Sequence, residues 1–117
     1  MGAHLYDAVE TAIIEQRREP RIRVDASVKL EGVPGRLRNL SASGAQIWVD
    51  ELYADALRPI VNESCLCLEI ALDPSIELDV QVVYAAKHEG GYLMGMKFLD
   101  PNAPDRAVIR DVIAKAG

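Results

Sequence analysis

The sequence is poor in aromatic residues, which limits how its core can be built. Only 6 of 117 residues are Phe, Trp or Tyr, although 50% of the chain is hydrophobic. That hydrophobic share suffices for a packed core and excludes a wholly disordered tail. The core must then consist mainly of Val, Ile, Leu and Ala. The length fits one domain.

Cysteine and histidine are scarcer still. Cys65 and Cys67 are separated by one residue, cannot easily bridge each other and have no other cysteine to pair with. This usage is typical of a reducing compartment. With only two histidines, His4 and His88, the chain lacks a four-ligand zinc set, so we interpret both cysteines as ordinary strand residues.

Long apolar runs and the common catalytic signatures are also missing. No apolar stretch approaches the roughly 20 residues of a membrane helix, and no basic leader precedes an apolar run at the N-terminus. We therefore expect a cytoplasmic protein without membrane insertion. The sequence has no P-loop, no Gly-rich dinucleotide turn and no G-x-S-x-G elbow, so we expect neither an enzyme nor a bound cofactor or metal.

The charge is unevenly distributed. The net charge is −5, which argues against a protein that binds nucleic acid polymers through a basic surface. Between Arg17 and Arg38, however, the sequence contains seven basic and three acidic residues. This segment therefore has a net charge of +4, and the rest of the chain has a net charge of −9. This patch indicates a small anionic partner held locally, the alternative being a solvated basic face.

The hydropathy pattern changes near Pro20 from helical to strand periodicity. A short N-terminal helix capped by Asp7 precedes it, and six segments with a period of two follow. A C-terminal helix follows Pro104, with Asp105 as its predicted N-cap. The fold class is therefore mainly β: a six-stranded antiparallel barrel with a short N-terminal helix and a C-terminal helix, organised as an extension (1–16) and a domain (17–117).

Three local expectations accompany this barrel. The first turn is predicted at 32–35, where Gly, Val, Pro and Gly follow one another. Tyr84 is predicted to share the inward face of its strand with Val80 and Val82. Trp48 is predicted on the outward face of its strand, packed under a terminal helix or covering a ligand.

Two short motifs stand out in and beside the basic patch. Arg17 and Arg21 form R-x-x-x-R on a segment that Pro20 keeps from being helical. Guanidinium forks meet phosphate oxygens or the O6/N7 edge of guanine in bidentate fashion, which suits a guanine nucleotide. Arg106 and Arg110 have the same spacing, but there a helix-surface pair is expected.

The second motif lies between the second and third predicted strands. Asn39-Leu40-Ser41-Ala42-Ser43-Gly44 matches [D/N]-x-S-x-x-G, in which Asn39 and Ser41 can offer an amide and a hydroxyl to one ligand. Gly44 permits a positive φ or a close approach of the backbone. A plain Ser/Gly turn is the alternative interpretation.

Together the two motifs, the six-strand pattern and the closing helix resemble the PilZ domain family over roughly residues 17 to 115. PilZ domains are six-stranded barrels that act as bacterial receptors for cyclic di-GMP, so the resemblance implies this ligand, a bacterial cytoplasm and regulation of motility or biofilm formation. It also implies a ligand-binding role for six residues: Arg17, Arg18, Arg21, Asn39, Ser41 and Gly44. Arg18 adjoins the pair without holding its spacing, and Gln16 stands where many members have a further arginine.

Beyond the ligand, the resemblance implies a signalling role. We expect binding to order the segment 17–23 across the barrel and so alter a surface read by a downstream protein partner. The alternative is a PilZ-like adaptor that has lost the nucleotide and acts by protein–protein interaction alone. Arg36 and Arg38 either add charge to the same pocket or are solvated strand residues.

Overall fold

The computed structural model describes residues 21–116. The predicted N-terminal helix, the boundary at residue 16 and the side chains of Arg17 and Arg18 lie outside this range. Within it, six antiparallel strands close into a barrel in the spatial order β1-β2-β3-β6-β5-β4, with β4 pairing back onto β1. The strands are β1 (Ile22–Leu30), β2 (Val33–Leu40), β3 (Gly44–Asp50), β4 (Leu66–Ile70), β5 (Ile76–His88) and β6 (Gly91–Phe98). The predicted mainly β fold is confirmed.

The barrel interior is filled by the aliphatic rows that the alternation predicts. On β1 and β4 a buried side alternates with a more exposed side, as the period of two requires. Leu30, Leu40, Ile47, Leu68 and Ile70 are fully buried and belong to one contiguous core cluster. The core therefore consists mainly of branched aliphatic side chains, and Phe98 is its one buried aromatic residue among the residues described.

The turn between β1 and β2 lies earlier than predicted. It consists of Glu31 and Gly32, both with positive φ (49° and 83°), and Leu30 pairs directly with Val33. Two consecutive positive φ values characterise the tight hairpin turn whose twist matches that of the strands. Pro34, which we expected in the turn, instead pairs with Lys29 near the start of β2.

A bulge in β5 overturns the predicted orientation of Tyr84. Val82 pairs with Met96 on β6, but Tyr84 pairs with Gly95, so Val83 is an extra residue on β5. An extra residue reverses which face the following side chains occupy. Val83 is 52% exposed, and the ring of Tyr84 lies on the outer surface over Gly95, where a Cβ would collide with it.

Two helices complete the described chain. A 3₁₀ turn (Glu51–Tyr53) leads into the single turn of α1 (Ala54–Leu57), and α2 (Ala103–Ala116) packs on the barrel core through Ile109, which is 1% exposed. The N-cap of α2 is Asn102 and not Asp105: the Asn102 side chain accepts from the backbone N–H of Asp105 at 2.8 Å. Pro104 is tolerated inside the first turn because its missing N–H would have no helical partner. No helix within residues 21–116 has the length and apolarity needed to cross a bilayer.

Candidate ligand-binding site

One row of outward-facing residues crosses five strands of the barrel at the same level. Arg23 on β1 pairs with Asn39 on β2, Asn39 with Gln46 on β3, Gln46 with Gly95 on β6, and Gly95 with Tyr84 on β5. We call these five residues the outer polar row. Gln46 and Gly95, in the middle of the row, each lie between two buried core residues of their own strand, so the alternation of side chains places the row on the outer face.

The strand register brings parts of both sequence motifs to one end of this row. Ile22 pairs with Leu40, which is fully buried, so the residues flanking this pair lie on the outer face. Those residues are Arg21 and Arg23 on the first chain segment, and Asn39 and Ser41 on the second. Arg21 is thus placed beside the Asn39–Ser41 segment.

The turn between β2 and β3 is held by Ser41 and Gly44. The Ser41 backbone N–H donates to the Gly44 carbonyl at 2.9 Å, and the Ser41 hydroxyl reaches the same oxygen at 3.3 Å. Ser41 is 9% exposed. Gly44 is needed for close approach and not for a positive φ, because a Cβ there would collide with the backbone carbonyl of Met96 on β6.

Hydrogen bonds connect the middle of the outer polar row. Asn39 Nδ2 donates to Gln46 Oε1 at 2.5 Å, and Gln46 Nε2 donates to the Tyr84 hydroxyl at 2.7 Å. Gln46 is only 7% exposed. In the sequence, the strand alternation marks Gln46 only as an outward residue of β3. The bulge in β5 carries Tyr84 to the outer face, where it contacts Gln46 and contributes to its burial.

The basic residues near the site differ in how they are engaged. The Arg36 guanidinium donates to Asp25 and, through Nη1, to the Ser27 hydroxyl at 2.9 Å, so its charge is already compensated. Arg23 and Lys97 form no side-chain hydrogen bond or ion pair within residues 21–116. Lys97 pairs with Gly44, so these two cations flank the polar segment from opposite sides. In the sequence, Lys97 is marked only by its outward position on its strand, whereas Arg23 also lies in the basic segment 17–23.

Trp48 is held by the β5–β6 hairpin. Its indole Nε1 donates to the backbone carbonyl of His88 at 2.8 Å, and its ring packs where Gly91 leaves space. It lies next to Arg36 and Leu93 in the register, on the outer face as predicted.

The opposite flank of the barrel is acidic and does not suit an anionic ligand. A groove between the β4–β5 hairpin and the start of α2 is lined partly by Glu69, Glu77 and Asp105. No group of three or more metal-ligating side chains forms among residues 21–116. Both cysteines are free thiols and exposed.

Cys67 provides a test of this acidic flank. The pKa of the Cys67 thiol is raised, mainly because partial burial desolvates it and secondly because carboxylates surround it. The carboxylates are those of Glu77, Glu31, Asp79 and Glu69. Because the thiolate is the reactive form, Cys67 should react with a disulfide reagent at pH 8 more slowly than a free thiol peptide. In the C65S background, Glu77→Gln should speed this reaction; an unchanged rate would contradict the electrostatic explanation.

Comparisons with known proteins identify the family to which this barrel belongs. The PilZ domain family model matches residues 15–115. No curated protein matches the sequence. Among the solved structures that share the fold, three have identities of 14–22% and each aligns with 86% of this chain.

The first of these is the Bacillus subtilis inhibitor of motility MotI (DgrA), with a TM-score of 0.69 and 22% identity; 50% of its chain is covered. The second is Escherichia coli YcgR in complex with c-di-GMP, with a TM-score of 0.66, 16% identity and 45% of its chain covered. This chain thus spans about half the length of those two.

The third structure is a PilZ domain of YcgR from Escherichia coli with c-di-GMP, with a TM-score of 0.67 and 14% identity; 91% of its chain is covered. An isolated PilZ domain therefore matches almost end to end. Since the family model covers most of the sequence and the barrel is the one found in these structures, the chain belongs to the PilZ domain family.

Proposed function

We propose that this protein is a receptor for cyclic di-GMP that binds the dinucleotide on the outer polar row, between the arginines of segment 17–23 and the Asn39–Gly44 turn. The observation that carries the proposal is the β1–β2 register, which sets Arg21 beside Asn39 and Ser41. Residues 18 positions apart in the sequence can then touch one small ligand. Arg17 and Arg18, four and three residues before Arg21, complete the proposed arginine set.

The chemistry of the surface suits this ligand. Cyclic di-GMP carries two phosphates and two guanines, and a guanidinium can form paired hydrogen bonds with either. Arg23 and Lys97 add two cations that are uncompensated within the described chain, so the surface attracts an anion. Asn39 and Ser41 supply neutral polar groups between them.

The relatives support the same ligand and suggest an output. YcgR of Escherichia coli holds c-di-GMP on this fold, and the Bacillus subtilis relative is an inhibitor of motility. We infer that this chain acts in a comparable regulatory response in the bacterial cytoplasm. Fastening segment 17–23 across the barrel would create a surface that a protein partner can recognise.

Isothermal titration of the whole chain with cyclic di-GMP tests the proposal. We expect saturable heat and, from the same curve, the number of ligand molecules per chain. GMP, with one base and one phosphate, should bind at least about 100-fold more weakly because it offers half of the contacts.

Three results would contradict the receptor proposal. The adaptor function would be indicated if cyclic di-GMP produced neither heat nor a change in NMR chemical shifts while the chain still retained a protein partner. Strongly salt-dependent binding of single-stranded nucleic acid in place of the dinucleotide would indicate a polymer ligand. Equal affinity for GMP would indicate a general phosphate site.

A further inference from the structure

Gln46 is buried although it lies on the outer face of β3. A buried primary amide loses free energy unless both its oxygen and its NH2 group find hydrogen-bond partners. Here the partners come from two other strands, Asn39 on β2 and Tyr84 on β5. The amide therefore links two strands that do not pair with each other in the barrel.

These hydrogen bonds have a direction. Gln46 directs its NH2 group to the Tyr84 hydroxyl, which leaves its oxygen for Asn39. Because the Gln46 oxygen can only accept a hydrogen bond, Asn39 must donate to it through its own NH2 group. The Asn39 oxygen Oδ1 then accepts no hydrogen bond from any residue in the range 21–116.

This orientation decides what Asn39 offers to a nucleotide. Guanine presents acceptors, O6 and N7, on one edge and donors, N1–H and the 2-amino group, on another. Arginines satisfy the acceptor edge, so the donor edge requires an acceptor from the protein. Asn39 Oδ1 is such an acceptor, whereas a reversed amide would oppose guanine donors with further donors.

We propose that Gln46 is a positioning residue of the cyclic di-GMP site: held by Tyr84, it turns the Asn39 amide so that its oxygen faces the guanine. The inference rests on the proposed function and assigns a role to a residue outside both sequence motifs. Gln46 itself does not touch the ligand in this assignment.

A double-mutant cycle of Gln46→Met with Asn39→Asp tests this role, with cyclic di-GMP binding to the full chain measured by isothermal titration. A carboxylate accepts through both oxygens and needs no orienting partner. We expect Q46M alone to weaken binding about tenfold, the loss of one hydrogen bond with an ordered partner. N39D alone should stay within about threefold of the wild type, and N39D/Q46M within about threefold of N39D.

The possible outcomes separate the two proposals. Equal losses from Q46M in both backgrounds would show that Gln46 only supports the packing of the strands, and would overturn the positioning role. Loss of binding by N39D would overturn it too, because the acceptor would still be present. A wild-type chain that binds no cyclic di-GMP overturns the proposed function and, with it, this inference.

Tyr84→Phe provides a second test if Q46M does not fold. The melting temperature of Q46M shows whether it folds. This substitution keeps the ring over Gly95 but removes the hydroxyl that holds Gln46. We expect about a threefold loss of affinity in the wild-type background and no loss in the N39D background. Equal losses in the two backgrounds would contradict the role of Gln46.

Discussion

Replacing Arg17 and Arg21 together by alanine should weaken cyclic di-GMP binding about 100- to 10,000-fold. Hydrogen bonds to charged groups contribute about 1.5–3 kcal/mol each, and about 1.4 kcal/mol corresponds to tenfold in affinity. Each single variant should therefore lose about 10- to 100-fold. Isothermal titration of R17A, R21A and the double variant measures these losses directly.

The chain contains a matched control for this experiment. Arg106 and Arg110 on α2 have the same R-x-x-x-R spacing, and both are exposed. R106A/R110A also removes two positive charges and should change affinity less than about threefold, as expected for exposed charges outside the candidate site that salt screens. Equal losses in the two double variants would mean that net charge, and not the arginine segment, governs binding.

Gly44→Ala should impair both stability and binding. Its added Cβ would collide with the backbone carbonyl of Met96, which cannot move without separating β3 from β6. Overpacking of this kind costs about 1–3 kcal/mol, and at about 2 kcal/mol the Tm of a domain of this size falls by about 10 °C. Because Ser41 is held by the Gly44 carbonyl, cyclic di-GMP affinity should also fall about tenfold.

Gly32→Ala is the control for Gly44→Ala. Gly32 has φ of +83° but open space around it, and it lies at the opposite end of β2 from Ser41. Its replacement should cost about 1 kcal/mol through backbone strain while leaving ligand affinity unchanged. A G44A chain that melts and binds like the wild type would refute the close-approach explanation of this glycine.

The barrel was predictable because each strand buries one face. A period of two in hydropathy reports that burial directly, and the inward rows on β1, β3 and β4 follow it. Bulges are less visible to such a pattern, since they depend on the pairing partner. Nothing in the sequence of β5 alone indicates that Val83 is unpaired and that Tyr84 therefore lies outside.

The candidate site, too, was predictable only in part from the sequence. The motifs indicated Arg21, Asn39, Ser41 and Gly44, but the predicted turn at 32–35 would have set Ile22 opposite Ala45. The observed turn at Glu31–Gly32, together with a bulge in β1 between Arg23 and Ala26, sets Ile22 opposite Leu40 instead, which brings the motifs together. Gln46 and Lys97 could not be identified from sequence, because their relation to the site exists only across strand pairs.

The most direct test of the whole account is a ¹H–¹⁵N correlation spectrum of the chain recorded during titration with cyclic di-GMP. We expect the largest chemical-shift changes to fall together on Arg21–Arg23, on the Asn39–Gly44 turn and on Tyr84 and Gly95. Two results would contradict the binding of a single ligand by both motifs. One is shift changes confined to the acidic groove beside α2, and the other is saturating shift changes at the turn with none at Arg21–Arg23.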